Sequence, residues 1–398
     1  MSAKLTSNRI ERLTASIAGI LSFITQSAYA ERVGDPAVAD FAFGNPHDMP
    51  LPGLVAALQK WTVPQHKDWF AYKMCVPEAQ EAIAAALRER RGLDFEAQDI
   101  LLTNGAFAAL ASALATLIDP GDEVIFISPP WFFYEALILA AGATPVRVQV
   151  DPISFDLDVQ AIERALTART RAVIVNSPNN PTGRIYPPAT LTALAQALSR
   201  AGERFGGPIY LLSDEAYNRI IFDGRPFHSP AEYYPHTIIL YTYGKTLLAP
   251  GERIGYMALP PSMPDRDELR QALTVGQVMT GYAYPNAVPQ YAVPELEQLS
   301  IDIPRLQAKR DRLVAALGAA GYELQVPEGT FYVMVRSPWP DDVAFCALLA
   351  EHDILCLPGR IVEMPGYFRI SLTANEDMIE RSLAGFAAAR HARHAGKG

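Results

Sequence analysis

The chain has 398 residues, 49% of them hydrophobic, enough to bury a large core within a subunit of about two lobes. Its net charge of −9, without any basic stripe, argues against nucleic acid as a partner. Three cysteines (Cys75, Cys346, Cys356) form no CxxC pair and no HExxH pattern occurs, so neither a disulfide framework nor a metal site is expected, and a reduced cytoplasmic setting fits.

Residues 1–30 carry Lys4, Arg9 and Arg12, an apolar segment and Ala28-Tyr29-Ala30, which imitates a secretory leader. Ile10, Leu13, Ile17, Leu21 and Ile24 recur every three or four residues, and Ser16, Ser22, Thr25 and Gln26 interrupt the apolar stretch. That pattern predicts an amphipathic helix docked on a domain. No run reaches the roughly eighteen apolar residues of a membrane span. Phe41-Ala42-Phe43 then runs into Gly44-Asn45-Pro46, a strand meeting a turn. Gly44 serves either that turn or the close approach of a ligand to the backbone.

Helices are expected over 51–60 and 77–91, with the aromatic connection Trp69-Phe70-Ala71-Tyr72 between them, either an exposed interface or a buried cover. Arg88, Arg90 and Arg91 around Glu89 read as a solvated helix face. Ile100–Thr103 is a strand, and Asn104-Gly105-Ala106-Phe107 opens a helix through Leu117. Its free N–H groups suit a phosphate. Strands at 123–127, 145–148, 172–176, 209–213, 238–242 and 254–259 then alternate with helices starting near 129 and spanning 158–166 and 188–200. Apolar strands alternating with helices predict a mostly parallel sheet covered on both faces.

Ligands of such sheets bind beyond the carboxyl ends of the strands. Asn180, Asp214 and Lys245 each follow such an end, so they should share one rim. A lysine there either loses hydration, which favours the neutral, nucleophilic amine, or has already reached the surface past the strand end. Past about 290, helices at 305–320, 341–351 and 376–390 alternate with strands at 329–335, 354–357 and 367–372. This reads as a smaller α+β lobe completed by the amino-terminal segment. The expected division is 1–44, 45–290 and 291–398.

Asn180-Pro181-Thr182-Gly183, Asp214-x-x-Tyr217, and Lys245 with Arg253 eight residues on resemble, in order and spacing, the fold-type I pyridoxal-phosphate enzymes of aminotransferase class I/II. The resemblance runs from Gly44 to Arg369 and implies a seven-stranded α/β large domain beside the smaller one. It casts Lys245 as the lysine that binds the cofactor and then moves the substrate proton. Asp214 would face the pyridine nitrogen, while Asn180 and Tyr217 would bond the phenolic oxygen. Gly105, Ala106, Phe107, Thr242 and Arg253 would hold the phosphate, and Trp131 would stack on the ring. Arg369 would fork the substrate α-carboxylate, with Gly44, Trp131 and Asn180 beside it. Tyr284-Pro285-Asn286 lies in a segment that relatives send across a homodimer interface, where Tyr72 would reach the partner's phosphate.

Three departures accompany the resemblance. Counted from Cys75 at a glycine position, Phe70 stands where relatives place that tyrosine; Phe107 has no side-chain donor where some relatives do; and Gln80 replaces an arginine. The implied activity is transfer of an amino group between an L-amino acid and a 2-oxo acid. The alternative keeps the cofactor and performs C–S β-elimination or cyclisation, since fold does not fix reaction. Decarboxylases of this fold often stack a histidine where Trp131 stands. Regulatory relatives carry a DNA-binding domain ahead of the fold, and the residues before Gly44 contain no basic recognition helix.

Overall fold

The computed structural model describes residues 5–392; Lys4 of the leader-like segment falls outside them. Among the described residues, twelve strands form three sheets. They are β1 (Ala39–Asp40), β2 (Ile100–Thr103), β3 (Glu123–Ser128), β4 (Thr144–Gln149), β5 (Thr170–Asn176), β6 (Tyr210–Asp214), β7 (Thr237–Thr242), β8 (Gly255–Ala258), β9 (Tyr332–Arg336), β10 (Ile354–Leu355), β11 (Leu357–Pro358) and β12 (Tyr367–Ser371). The large sheet runs β2-β8-β7-β6-β5-β3-β4. It is parallel except at β8, which lies antiparallel to both neighbours.

Strands β2, β3, β7 and β8 bury every residue, as a sheet covered on both faces requires. The two faces divide with period two. Val124, Phe126, Ala172 and Ile174 pack on one side with Leu110, Ala113 and Leu240. Ile125, Ile127, Val173 and Val175 pack on the other with Leu194 and Leu198. Only β4, at the edge, is largely exposed, and it carries Pro145 and Arg147 there. The helix Arg266–Met279, which the sequence reading passed over, packs on the helix Gly105–Leu117. Its Leu269 and Leu273, four apart, are both buried.

The second, smaller unit holds the antiparallel sheet β11-β12-β9 and the parallel pair β1-β10. Phe345, Phe368, Ile370 and Phe386 form its core between the helices Ile303–Ala319, Asp342–Glu351 and Glu376–His391. The amino-terminal strand β1 therefore completes a sheet contributed by the other end of the chain.

Four local expectations are corrected or resolved. The amino-terminal helix is three pieces, Asn8–Ser16, Ala18–Gln26 and Ala28–Arg32. The chain bends by 69° between the first piece and the others. Ile17 leaves the helical region at φ −109°, ψ 13°, so the expected stripe is broken there. Ile10 and Ile24 are exposed, whereas Ile20, Phe23 and Tyr29 are buried. Phe23 and Tyr29 stack at 4.9 Å and both meet Phe43, which draws that face inward. No single helix among the described residues is long and apolar enough to cross a membrane.

Arg90 is exposed, as a solvated face requires, and Arg91 is half-buried, but both also act as counter-charges to buried groups. Arg90 pairs with Glu297 at 2.7 Å and Arg91 with Glu215 at 3.6 Å, and both carboxylates are buried. A buried carboxylate needs a counter-charge, and these arginines provide it. Trp69 is buried and stacks on Tyr291 at 3.7 Å, so the aromatic connection is at least partly a cover. The helix expected near Pro129 begins only at Tyr134.

Candidate active site

The carboxyl ends of β5, β6 and β7 supply the floor of one cavity of about 450 Å³. Asn176 and Asp214 face each other in register at the ends of β5 and β6. The Asn176 side-chain amide donates to the Asp214 carbonyl at 2.8 Å, and its oxygen accepts from the Asn180 N–H at 2.6 Å. Asn176 thus fixes both neighbours. It was missed in sequence because it looks like one more strand residue.

Lys245 sits in the helical turn Tyr243–Thr246 that follows β7. Thr242 caps that turn, accepting from the Gly244 N–H at 3.3 Å. The Lys245 Nζ lies 5.8 Å from the ring centres of Tyr217 and Phe331 and forms no hydrogen bond or ion pair with the described residues. Asp214 accepts a hydrogen bond from the Tyr134 hydroxyl at 2.6 Å and one from the Ala216 N–H at 3.2 Å. Burial raises the Asp214 carboxyl above its usual range, while Tyr134 and the nearby Lys245 charge pull it back down. Burial, with the Tyr332 phenol beside it, holds the Tyr217 hydroxyl well above its ordinary pKa.

Arg369, on β12, is 1% exposed. Its Nη1 donates to the Asn180 side-chain oxygen and its Nη2 to the Ala42 carbonyl, both at 3.0 Å. The guanidinium lies 3.9 Å from the Tyr332 ring centre. Its Nε is buried without a partner, and no carboxylate among the described residues reaches ion-pair distance. Burial lowers its pKa, partly offset by Tyr332 and Tyr217. A buried cation with an orphaned N–H calls for an anion from outside.

The helix Gly105–Leu117 opens without a side-chain cap. Gly105 takes φ +80°, and a Cβ there would come within 3.1 Å of Arg253 and 3.4 Å of the Thr242 hydroxyl. Arg253 braces itself on the carbonyls of Pro250 at 2.8 Å and Asn104 at 3.2 Å. Helix start, guanidinium and hydroxyl together make an anion cradle. Gly255 supports it from β8. A Cβ there would overlap the Tyr241 carbonyl and stand 2.9 Å from the Gly105 Cα. Gly255→Ala is expected to destabilise the chain by about 1–3 kcal/mol, through backbone that cannot give way. Chemical denaturation with and without pyridoxal phosphate checks this, and the cofactor should recover less stability in the variant than in the parent.

Of the residues singled out from sequence, Gly44, Ala106, Phe107, Trp131, Asn180, Asp214, Tyr217, Thr242, Lys245, Arg253 and Arg369 all line this cavity. Gly105 lies against Arg253 and Thr242 at its edge. Gly44 has a packing reason of its own, since a Cβ would come within 2.5 Å of the Phe331 ring. Tyr134 does not line the cavity but holds Asp214 from outside it. Tyr72 stands apart from the cavity, 87% exposed, its ring 5.0 Å from that of Tyr284.

Pyridoxal phosphate fits this donor set. The cradle matches a phosphate, the carboxylate of Asp214 matches a pyridine nitrogen, the Trp131 ring offers a stacking face, and Lys245 is a free amine. Residues 36–386 match the family Aminotransferase class I and II. The aspartate/prephenate aminotransferase of Thermus thermophilus is 32% identical over 352 residues, covering 85% of this chain and 88% of its own. The aspartate aminotransferase of Rhizobium meliloti is 30% identical, covering 94% and 93%. Among solved structures, an aminotransferase from Eubacterium rectale superposes with a TM-score of 0.88 at 30% identity, covering 97% of this chain and 98% of its own. With this fold and this cavity, the chain belongs to the class I and II aminotransferases, pyridoxal-phosphate enzymes that transfer amino groups.

Proposed function

We propose that the cavity exchanges an amino group between an L-amino acid and a 2-oxo acid, with each residue acting as follows. The buried, carboxylate-free Arg369 is the observation that carries the reading, since it sits in the same cavity as the free amine of Lys245. Arg369 takes the α-carboxylate, and Asn180 and Ala42 hold its guanidinium at the right angle. Pyridoxal phosphate, when bound, supplies an aldehyde that joins the amino group and a ring that accepts the electron pair left at Cα. Lys245 would act as acid and base, taking the proton from the substrate Cα and giving it back on the other side of the exchange. Asp214 would hold the ring nitrogen in its protonated form, with Tyr134 fixing the Asp214 carboxylate. Tyr217 and Asn180 would bond the phenolic oxygen. Ala106, Phe107, Thr242, Arg253 and the Gly105 N–H would hold the phosphate.

Amino transfer is favoured over β-elimination by the curated relatives, which are named for transamination. The same reading includes a cytoplasmic homodimer with Tyr72 reaching the partner's phosphate. Support comes from the exposed Tyr72–Tyr284 pair, from three free cysteines, and from burial of Ile20 and Phe23, which makes residues 18–26 part of the fold. It also includes the division at 44 and 290, supported by pairing of β1 with β10. The test is the visible spectrum of the purified protein while single amino acids are added. The cofactor band should bleach and return with a 2-oxo acid. A band that persists while pyruvate and ammonia accumulate would reassign the chain to elimination.

A further inference from the structure

We propose that the substrate side chain is received by an apolar wall of Ile20, Ile24, Phe43 and Phe132, so that apolar and aromatic amino acids are preferred over dicarboxylic ones. The proposal rests on the transferase reading above and departs from the aspartate in the relatives' names.

The cations lining the cavity are Lys245, Arg253 and Arg369. Each already has a task at the cofactor, the phosphate or the α-carboxylate. Arg360 is held by Asp341 and Asp342 at 2.7 Å each and does not line the cavity. Among the remaining lining residues the side-chain amides are Asn176 and Asn45, and Asn176 is committed to Asp214 and Asn180. Beside Asn45 and the Tyr332 phenol, what is left is mainly branched aliphatic and aromatic carbon. A second carboxylate would lose its water there with no counter-charge from the described residues of this chain, whereas an apolar side chain gains by the same burial.

The wall is built to stay in place. The bend after Ser16 redirects the chain, and the helix Ala18–Gln26 lies along the cavity. Ile20 and Ile24 are four residues apart on that helix and so share a face. Ile20 is buried, while Ile24 is 42% exposed. The Phe43 ring is fixed between Phe23 at 5.9 Å and Tyr29 at 5.2 Å. Phe132 is braced by Phe133 at 4.7 Å.

The experiment uses the full-length holoenzyme. Calorimetry compares 3-phenylpropionate with maleate, neither of which has an amino group to give. Stopped flow then compares phenylalanine, leucine and aspartate in bleaching the cofactor band. Binding of 3-phenylpropionate should be at least about tenfold tighter than maleate, and kcat/KM for phenylalanine or leucine at least about tenfold above aspartate. Ile24→Arg, at an already exposed side chain, should narrow both ratios by about tenfold, because a guanidinium then partners the second carboxylate. Ratios short of these, or reversed, overturn the proposal; a cation supplied by a partner subunit would give the reversed ranking. Ratios unmoved by Ile24→Arg overturn it too. If no amino acid bleaches the band, the transferase reading itself fails and takes this proposal with it, a result distinct from a reversed ranking.

Discussion

Replacing Lys245 with alanine should remove the visible absorbance of the bound cofactor and slow amino transfer by at least about 10⁴-fold, the upper end of what one positioned acid–base group contributes. The residue has two successive tasks, covalent attachment and proton movement, and no other amine lines the cavity. The fold should survive. The side chain makes no hydrogen bond or ion pair with the described residues, and the turn that carries it is held by Thr242 and by backbone bonds. Circular dichroism and thermal unfolding in the absence of cofactor should therefore match the parent chain. An unchanged visible band would take Lys245 out of the mechanism.

Arg369→Lys should raise KM for every amino acid by about 10²-fold with little change in kcat. A guanidinium presents two parallel donors to a carboxylate, and an ammonium at the same depth does not. Losing one charge-assisted hydrogen bond in a buried site costs about 1.5–3 kcal/mol, which sets the size of the effect. The interaction exists in the bound substrate and in the transition state alike, so its loss falls on KM. The lysine would also leave Asn180 or Ala42 without its present donor, and lysine placed in so buried a position shifts readily to the neutral form. Steady-state kinetics across several donors checks this. A KM rise confined to one amino acid would point to its side chain, not to the α-carboxylate.

Much of the cavity is legible in the chain because it obeys two local rules. Apolar runs mark strands, and chemistry-bearing residues just past their ends fall on one rim, which is how Asn180, Asp214 and Lys245 come together. What sequence does not reveal depends on partners far away. Nothing near Arg90 or Arg91 signals that they neutralise Glu297 and Glu215. The apolar period of residues 10–24 is real, yet the bend at Ile17 and the pull of Phe43 decide which side chains turn inward. Asn176 carries no motif, and its role exists only because β5 and β6 lie in register. The isolation of Arg369 from any carboxylate is likewise a property of the folded chain.

The contact between Arg369 and the Ala42 carbonyl spans 327 positions. During synthesis the amino-terminal strand leaves the ribosome long before its partners in β10 and β12 exist. At about 5–20 residues per second that wait is roughly 15–65 s. Phe41, fully buried in the finished protein, is without its native cover for the whole interval. The large sheet is completed with β8, well before β12 is made. A nascent chain can thus acquire its cofactor-binding strands first and its grip on substrate only in the last moments of translation.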